Sequence, residues 1–268
     1  DNIIDLAIYP HPEQEQEAKN KRRMGLGVTG VANTLEALGS PYGTEDFLST
    51  LQVILGDLAE TAYCTSANLA EQKGSFPLLD TEKYLQSGFM ESMSPYVRRM
   101  VREKGIRNSH LTSIAPTGTI SLAAENVSSG IEPVFALEMD RDVRRKSGVV
   151  QTYRNLPDYA YANLGVSGKT SDVVTAVEHV DVLITASGCV DSACSKTCNV
   201  GDDVSYKEFQ QIYLDAYDGG ASGCTTFRPS GKRFGVLKEA GTPTTTDEAS
   251  TDGACYINPE TGEKSCGD

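Results

Sequence analysis

Ser113-Ile114-Ala115-Pro116-Thr117-Gly118-Thr119-Ile120-Ser121 is the stretch on which the reading of this chain turns. An apolar run ends in a Pro-Thr-Gly turn, hydroxyl residues follow, and Leu122-Ala123-Ala124-Glu125-Asn126 continues as a helical stretch. A strand that turns tightly into a helix aims unpaired backbone N–H groups, and the positive end of the helix dipole, at one point where anions bind. Thr117, Thr119 and Ser121 add hydroxyl donors, and Gly118 lets a ligand approach the backbone closely. The same pattern fits an ordinary strand–helix turn with a Ser/Thr cap. Local chemistry leaves both readings open.

Upstream, Asn108 to Ile114 reads as the strand feeding this turn. Thr44 to Gly74 reads as one long helix, with Thr44 as N-cap, Glu45 and Asp46 in the first turn, and a core stripe of Phe47, Leu51, Ile54, Leu55, Leu58 and Ala62. Tyr96 to Lys104 is a shorter basic helix stopped at Gly105, and residues 1–22 read as a polar surface loop leading into a helix. Gly25-Leu26-Gly27-Val28-Thr29-Gly30 matches G-x-G-x-x-G, but the Lys19 to Arg23 run before it makes a poor central strand. Close packing where a helix begins explains those glycines better than a dinucleotide site. Downstream, Pro133 to Leu137 is expected as a strand, and Arg141, Arg144, Arg145 and Lys146 as a solvated basic face. Thr175 to Ser187 is expected as a helix with Val177, Val180, Leu183 and Ile184 on one face and a structural His179. Ser205 and Glu208 form a capping box for a helix running to about Tyr217, and Cys224 to Phe227 is a short strand. Alternating helices and strands predict an α/β fold with parallel strands. From Ala240 the composition shifts to Thr, Gly, Asp and Pro, as in a flexible tail. The division follows as residues 1–238 and 239–268.

The chain has 268 residues, 39% hydrophobic content and a formal net charge of −13, which supports a core and disfavours nucleic-acid polymers and anionic membranes as partners. No apolar run approaches the roughly 18–20 residues needed to span a bilayer, and no signal-peptide pattern is present, so a cytoplasmic location is expected. Seven cysteines on irregular spacings favour reduced thiols. Cys189, Cys194 and Cys198 are separated by four and three residues with no histidine close by, which favours buried or half-buried thiols over a metal site. Cys64 is expected in the core beside the long helix, and Cys224 is expected to face a neighbour in its own strand.

The segment Ala115 to Ser121, followed by Ser128-Ser129-Gly130-Ile131-Glu132-Pro133, resembles the phosphate-binding loop and following turn of ribonucleotide reductase catalytic subunits. Arg23 to Gly30, Ser195-Lys196-Thr197-Cys198-Asn199, Ala216 to Arg228 and the tail Cys255 to Cys266 are similar to further segments of that family, in the same order. The resemblance implies the C-terminal half of a ten-stranded α/β barrel of the ribonucleotide reductase and glycyl-radical type, with a flexible tail. It implies an oxidoreductase that turns ribonucleoside di- or triphosphates into 2′-deoxyribonucleotides for DNA replication by thiyl-radical chemistry. Ala115, Pro116, Thr117, Gly118, Thr119, Ile120 and Ser121 would hold the substrate phosphates.

No Asn-x-Cys-x-Glu arrangement is present, so the radical cysteine and its Asn and Glu partners are expected in a missing N-terminal half. The chain then reads as a fragment, a split-gene product, or the piece downstream of an intervening element, inactive without that half. Cys255 and Cys266 lie in a polar tail with ten residues between them, including a turn-forming Asn258 to Gly262, and resemble the family's dithiol shuttle to thioredoxin or glutaredoxin. The family often spaces this pair more closely. Thr226-Phe227 stands where the oxygen-dependent members carry two radical-conducting tyrosines, and neither residue has a phenol. The resemblance is therefore to the adenosylcobalamin-dependent, cobalt-using class II, with the strand Thr225 to Arg228 as the cofactor's neighbour. An oxygen-dependent class I large-subunit fragment and a non-catalytic nucleotide-binding half-barrel are the alternatives, and a homodimer is left open.

Overall fold

The computed structural model describes residues 1–144 and 150–228 together with the short strands at 237–239, 256–257 and 264–265. Its helices are α1 (Asn2–Leu6), α2 (Pro12–Lys21), α3 (Val31–Ala37), α4 (Glu45–Lys73), α5 (Thr81–Leu85), α6 (Gly88–Ser92), α7 (Pro95–Lys104), α8 (Gly118–Ala123), α9 (Tyr159–Leu164), α10 (Ala176–Ser187) and α11 (Tyr206–Asp218). The strands are β1 (Glu138–Arg144), β2 (Val150–Pro157), β3 (Thr197–Asn199), β4 (Thr225–Phe227), β5 (Leu237–Glu239), β6 (Tyr256–Ile257) and β7 (Lys264–Ser265).

The α/β expectation is met by short parallel strand segments. Leu26 pairs with Thr112 and Ile114 with Cys194, and β3 pairs with β4 in the register Thr197–Thr225, Cys198–Thr226 and Asn199–Phe227, all parallel. Each segment neighbours the next in chain order. The crossovers carry α3 to α7, then α8 to α10, then α11, the connection that parallel strands require. The described residues do not close a barrel. The predicted strand at 108–114 survives only as these single-residue contacts. At 133–137 only Val134 pairs, with Thr170, and the strand proper begins at Glu138.

The long helix is α4. Thr44 Oγ1 accepts from Phe47 N, and Gly74 ends the helix at φ 83. At 29 residues it is about 44 Å long, and it serves two cores. Phe47, Leu51 and Leu55 pack with Tyr42, Ile131, Val180, Leu183 and Ala186. Ala59, Ala62 and Tyr63 pack with Phe76, Leu85, Met90, Val97 and Val101 from the α5–α7 region.

Residues 1–22, expected as a surface loop leading into a helix, hold two helices, α1 and α2, with a short connection between them. The buried Arg22 joins them, with its guanidinium forking onto both oxygens of Asp5 (2.8 and 2.9 Å). In α10, Val177 is 66% exposed, while His179, Val180, Val182, Leu183 and Ala186 are buried, so the apolar face is rotated from the one expected. In β1–β2 the register slips between Met139 and Arg141, opposite Asn155, whose left-handed φ of 52 marks the bulge. Arg141 is half-buried on β1; the rest of the expected basic face, including Arg145 and Lys146, lies outside the described residues or side chains. The tail's described parts are β6 and β7, which pair antiparallel as Tyr256–Ser265 and Ile257–Lys264. Among the described residues no helix is long and apolar enough to cross a membrane.

Gly25 and Gly27 of the Gly25 to Gly30 run pack against the strand segment at Ser113, as close-packing glycines should. A Cβ on Gly27 would lie 2.4 Å from the backbone oxygen of Ser113, and Gly30 begins α3 at φ 73. Gly56, inside α4, has open space where its Cβ would be. Gly27→Ala should therefore destabilise the chain by more than ~1 kcal/mol, whereas Gly56→Ala should stabilise it by about 0.5–1 kcal/mol. Urea unfolding of both variants checks the pair, and equal effects would contradict the close-approach assignment.

Candidate active site

The sequence predicts a helix at 122–126, but α8 begins four residues earlier, at Gly118, and ends at Ala123; Glu125 and Asn126 adopt φ of 62 and 63. The start of α8 is unusual in one respect. Thr117 occupies the N-cap position in a left-handed conformation (φ 52), and among the described residues no side chain caps the helix. The N–H groups of Gly118, Thr119 and Ile120 thus lack both intrahelical and capping partners. Ala115, Pro116, Gly118, Thr119 and Ile120 are exposed, and a Cβ on Gly118 would meet nothing within 4 Å. An exposed helix start of this kind presents several converging donors to an anion.

The hydroxyls divide in their roles. Thr119 is exposed. Thr117 Oγ1 accepts from Gly130 N at 2.7 Å and lies 2.9 Å from Thr29 Oγ1, which itself donates to Ser128 O. The buried Ser121 hydroxyl donates to Gly118 O and meets Ser129 Oγ, both at 3.1 Å. Thr117 and Ser121 therefore fix the loop's shape. Gly130 closes the arrangement: at φ 51 its Cβ would sit 2.7 Å from Ala115 O, so a side chain there would push the turn off the loop.

The turn from Ser128 to Glu132 is held from further sides. Ser128 N donates to Asn33 Oδ1 (2.6 Å) and Ser128 Oγ accepts from Asn33 N, while Asn33 Nδ2 donates to Asp158 Oδ1 at 2.8 Å. Burial raises the Asp158 carboxyl above its usual range, and its bonds from Asn33 and the start of α9 oppose that shift. Tyr42 donates its phenol to Ile131 O at 2.7 Å. Glu132 reaches across to the start of β3, where Oε1 accepts from Thr197 N at 2.6 Å and Oε2 from Lys196 Nζ at 2.9 Å.

Lys196 is the functional-looking residue that sequence reasoning missed. Its side chain is fully buried, its Nζ donates to His179 Nδ1 at 2.9 Å, and it lies 5.4 Å from the Tyr42 ring centre. A lysine between Ser195 and Thr197 carries no local signal of burial. His179, expected as a structural residue, is completely buried in the core. An ammonium can only donate, so Nδ1 accepts and the imidazole proton sits on Nε2, which has no partner among the described residues. Burial, with the Lys196 charge beside it, holds His179 down at about 3.

The five described cysteines follow the sequence reading with one exception. Cys194 and Cys198 are buried, Cys189 is half-buried, and Cys64 is half-buried against the second core. Cys224 faces not its own strand but Cys198 across the ladder, with the sulfurs 3.7 Å apart. Parallel pairing explains this, because residues two apart on β4 share a face with their partners on β3. Thr226 and Phe227 are half-exposed on β4, and the Tyr213 phenol lies 3.0 Å from Thr226 Oγ1. Cys255 and Cys266 lie outside the described residues.

The site is thus an exposed, uncapped helix start at the head of a crossover in an α/β scaffold. Residues 1–166 match the family described as the ribonucleotide reductase barrel domain, and the chain belongs to that family. It is 29% identical to a vitamin B12-dependent ribonucleoside-diphosphate reductase of Mycobacterium tuberculosis (strain CDC 1551 / Oshkosh), over 90% of this chain and 36% of that protein. A protein of the same name from Thermoplasma acidophilum is 29% identical over 91% of this chain and 33% of its own length. The ribonucleoside-diphosphate reductase subunit alpha of Helicobacter pylori (strain ATCC 700392 / 26695) is 28% identical over 50% and 19%. The chain thus spans about a third of the length of the vitamin B12-dependent relatives it matches.

Because His179 is neutral when buried and its ordinary value is 6.5, the unfolded chain binds a proton below about 6.5 that the folded chain refuses down to about 3. Its contribution is fully present above 6.5 and is lost as the pH falls, by at most ~1.4 kcal/mol per pH unit. His179→Gln keeps an acceptor for Lys196 and does not titrate. Urea unfolding between pH 7 and pH 4 should show a shallower acid loss in the variant than in the wild type; equal slopes would refute the assignment.

Proposed function

We propose that this chain is the C-terminal half of the barrel of an adenosylcobalamin-dependent ribonucleotide reductase, and that it holds the substrate's phosphates at Ala115 to Ser121. The observation that carries the proposal is the exposed, uncapped start of α8 (Gly118–Ala123), in a chain whose family reduces ribonucleotides. A phosphate there would accept from the N–H groups of Gly118, Thr119 and Ile120 and from the Thr119 hydroxyl. The turn at Ser128 to Glu132 would keep the loop from moving as charge is bound. With a net charge of −13, the chain would rely on local dipoles rather than a basic surface to hold an anionic substrate. The relatives' names favour a diphosphate over a triphosphate substrate.

The cofactor reading is supported by those names and by β4. No strand pairs with the outer edge of β4 among the described residues, and Thr226 and Phe227 are half-exposed there, a mixed apolar and hydroxyl surface suited to lie against a flat macrocycle. Neither residue can ligate cobalt, so β4 would supply contact only. When bound, adenosylcobalamin would supply the radical by homolysis. The radical cysteine with its Asn and Glu partners, and a second half of the barrel, would come from chain beyond this sequence. The oxygen-dependent reading has one observation in its favour, the Tyr213 phenol beside Thr226.

In the division proposed here, residues 1–238 carry the barrel and 239–268 the redox tail. Cys255 and Cys266 would carry electrons in from thioredoxin or glutaredoxin. The ladder of β6 and β7 supports that pairing, since Tyr256 and Ser265, adjacent in sequence to the two cysteines, are partners.

Mixing the chain with a complementary N-terminal half, adenosylcobalamin and a dithiol should yield deoxyribonucleotide. No product from a competent half would sink the reductase reading, and activity that needs a metal-bearing small subunit while ignoring cobalamin would sink the cofactor reading. In the reconstituted enzyme, Cys255→Ser or Cys266→Ser should abolish thioredoxin-driven turnover while much of the activity with a small dithiol persists. Unchanged thioredoxin-driven rates would remove the shuttle.

A further inference from the structure

Cys198 and Cys224 are a second pair of thiols, separate from the tail. Cys198 sits in the middle of β3 and is completely buried, whereas Cys224 immediately precedes β4 and is half-buried. Cys198 pairs with Thr226, so Cys224, two residues before Thr226, shares its face of the ladder. Their sulfurs are 3.7 Å apart, and closing them to the ~2.05 Å of a disulfide asks for small side-chain and backbone adjustments.

We propose that Cys198 and Cys224 form a thiol–disulfide exchange site that accepts low-molecular-weight disulfides of the glutathione type and ends as a Cys198–Cys224 disulfide joining β3 to β4. The two thiols are differentiated for the task. Cys224 is lowered below the usual thiol range, chiefly by the hydrogen bond it receives from Cys198, with the Lys196 charge assisting against burial. That same bond, together with burial, pushes Cys198 up. Burial also raises Cys64 and Cys189, and takes Cys194 to about 11. The half-buried Cys224 is therefore both the more reachable and the more nucleophilic of the two.

The chemistry balances without any further reagent. The Cys224 thiolate, its proton already lost to solvent, attacks one sulfur of RSSR; the S–S bond breaks, Cys224–S–S–R forms and RS⁻ leaves. The departing thiolate takes the proton of Cys198. The Cys198 thiolate then attacks Cys224 Sγ, the second RS⁻ leaves, and solvent returns a proton to it. Two electrons pass from the cysteine pair to RSSR, giving one protein disulfide and two RSH. A dithiol reductant reverses the sequence. Oxidation would lock the strand carrying Thr226 and Phe227 to the strand that follows Lys196.

The test is peptide mapping of the full chain after equilibration in buffers of increasing oxidised-to-reduced glutathione ratio. The expected result is a crosslink between the Cys198 and Cys224 peptides, and alkylation of Cys224 by iodoacetamide at pH 7 about tenfold faster than that of Cys64 or Cys189. Cys198→Ser should leave glutathione trapped on Cys224, and Cys224→Ser should leave Cys198 reduced. The proposal fails if the crosslink is absent at every ratio, if Cys198 pairs with any other cysteine, or if Cys224 alkylates no faster than Cys64. The wild-type map and labelling rates decide the matter even if a variant does not fold. Neither readout involves turnover or Cys255 and Cys266, so failure here leaves the reductase reading standing, and the reverse also holds.

Discussion

The turn from Ser128 to Glu132 is gripped by hydrogen bonds from separate parts of the chain, and the loop beside it keeps its shape for that reason. Thr29 and Asn33 hold it from the first glycine segment and α3, Thr117 and Ser121 from the loop, Tyr42 from the approach to α4, and Lys196 and Thr197 from β3. These groups are far apart in sequence. Each bond contributes only on the order of 1 kcal/mol net, but together they define one backbone path. Breaking one of the buried partnerships would leave a polar group without water or partner, which costs more than the bond itself contributes.

The same turn explains why a lysine is tolerated in the core. A charge removed from water is strongly disfavoured unless it is paired and its donors are satisfied. Lys196 has a carboxylate, an imidazole nitrogen and an aromatic face around it. His179 gives up its own protonation to make this possible. The arrangement joins α10, β3 and the turn through one cation. It also places that cation close enough to Cys224 to favour its thiolate.

Helices were legible in the sequence where a cap and a periodic apolar face agreed. For α4 and α11, Thr44 and Ser205 cap as read, and the glycines at 74 and 219 end the helices. The parallel strand segments were poorly legible because only one to three residues of each pair, too few for a period of two to register. The start of α8 was misplaced because Thr117 adopts a left-handed conformation that a β-branched residue rarely takes, and only the tertiary bonds to Thr29 and Gly130 hold it there. The loop residues themselves were visible through their composition. The network behind them was not: Asn33, Asp158, Glu132 and Lys196 are separated by up to 163 positions, and no local pattern links them. The Cys198–Cys224 proximity was hidden for the same reason, since it depends on the register of two three-residue strands.

The helix α4 is buried at one end against Tyr42 and α10 and at the other against the α5–α7 region. Neither core can dissolve without stripping half of this rod of its packing, and a bare amphipathic half-helix has little reason to stay wound. The two hydrophobic regions are therefore mechanically a single body with α4 as its axle. One continuous helix of about 44 Å underlies both cores, so a loss of packing at one end removes support from the helix that the other end also needs.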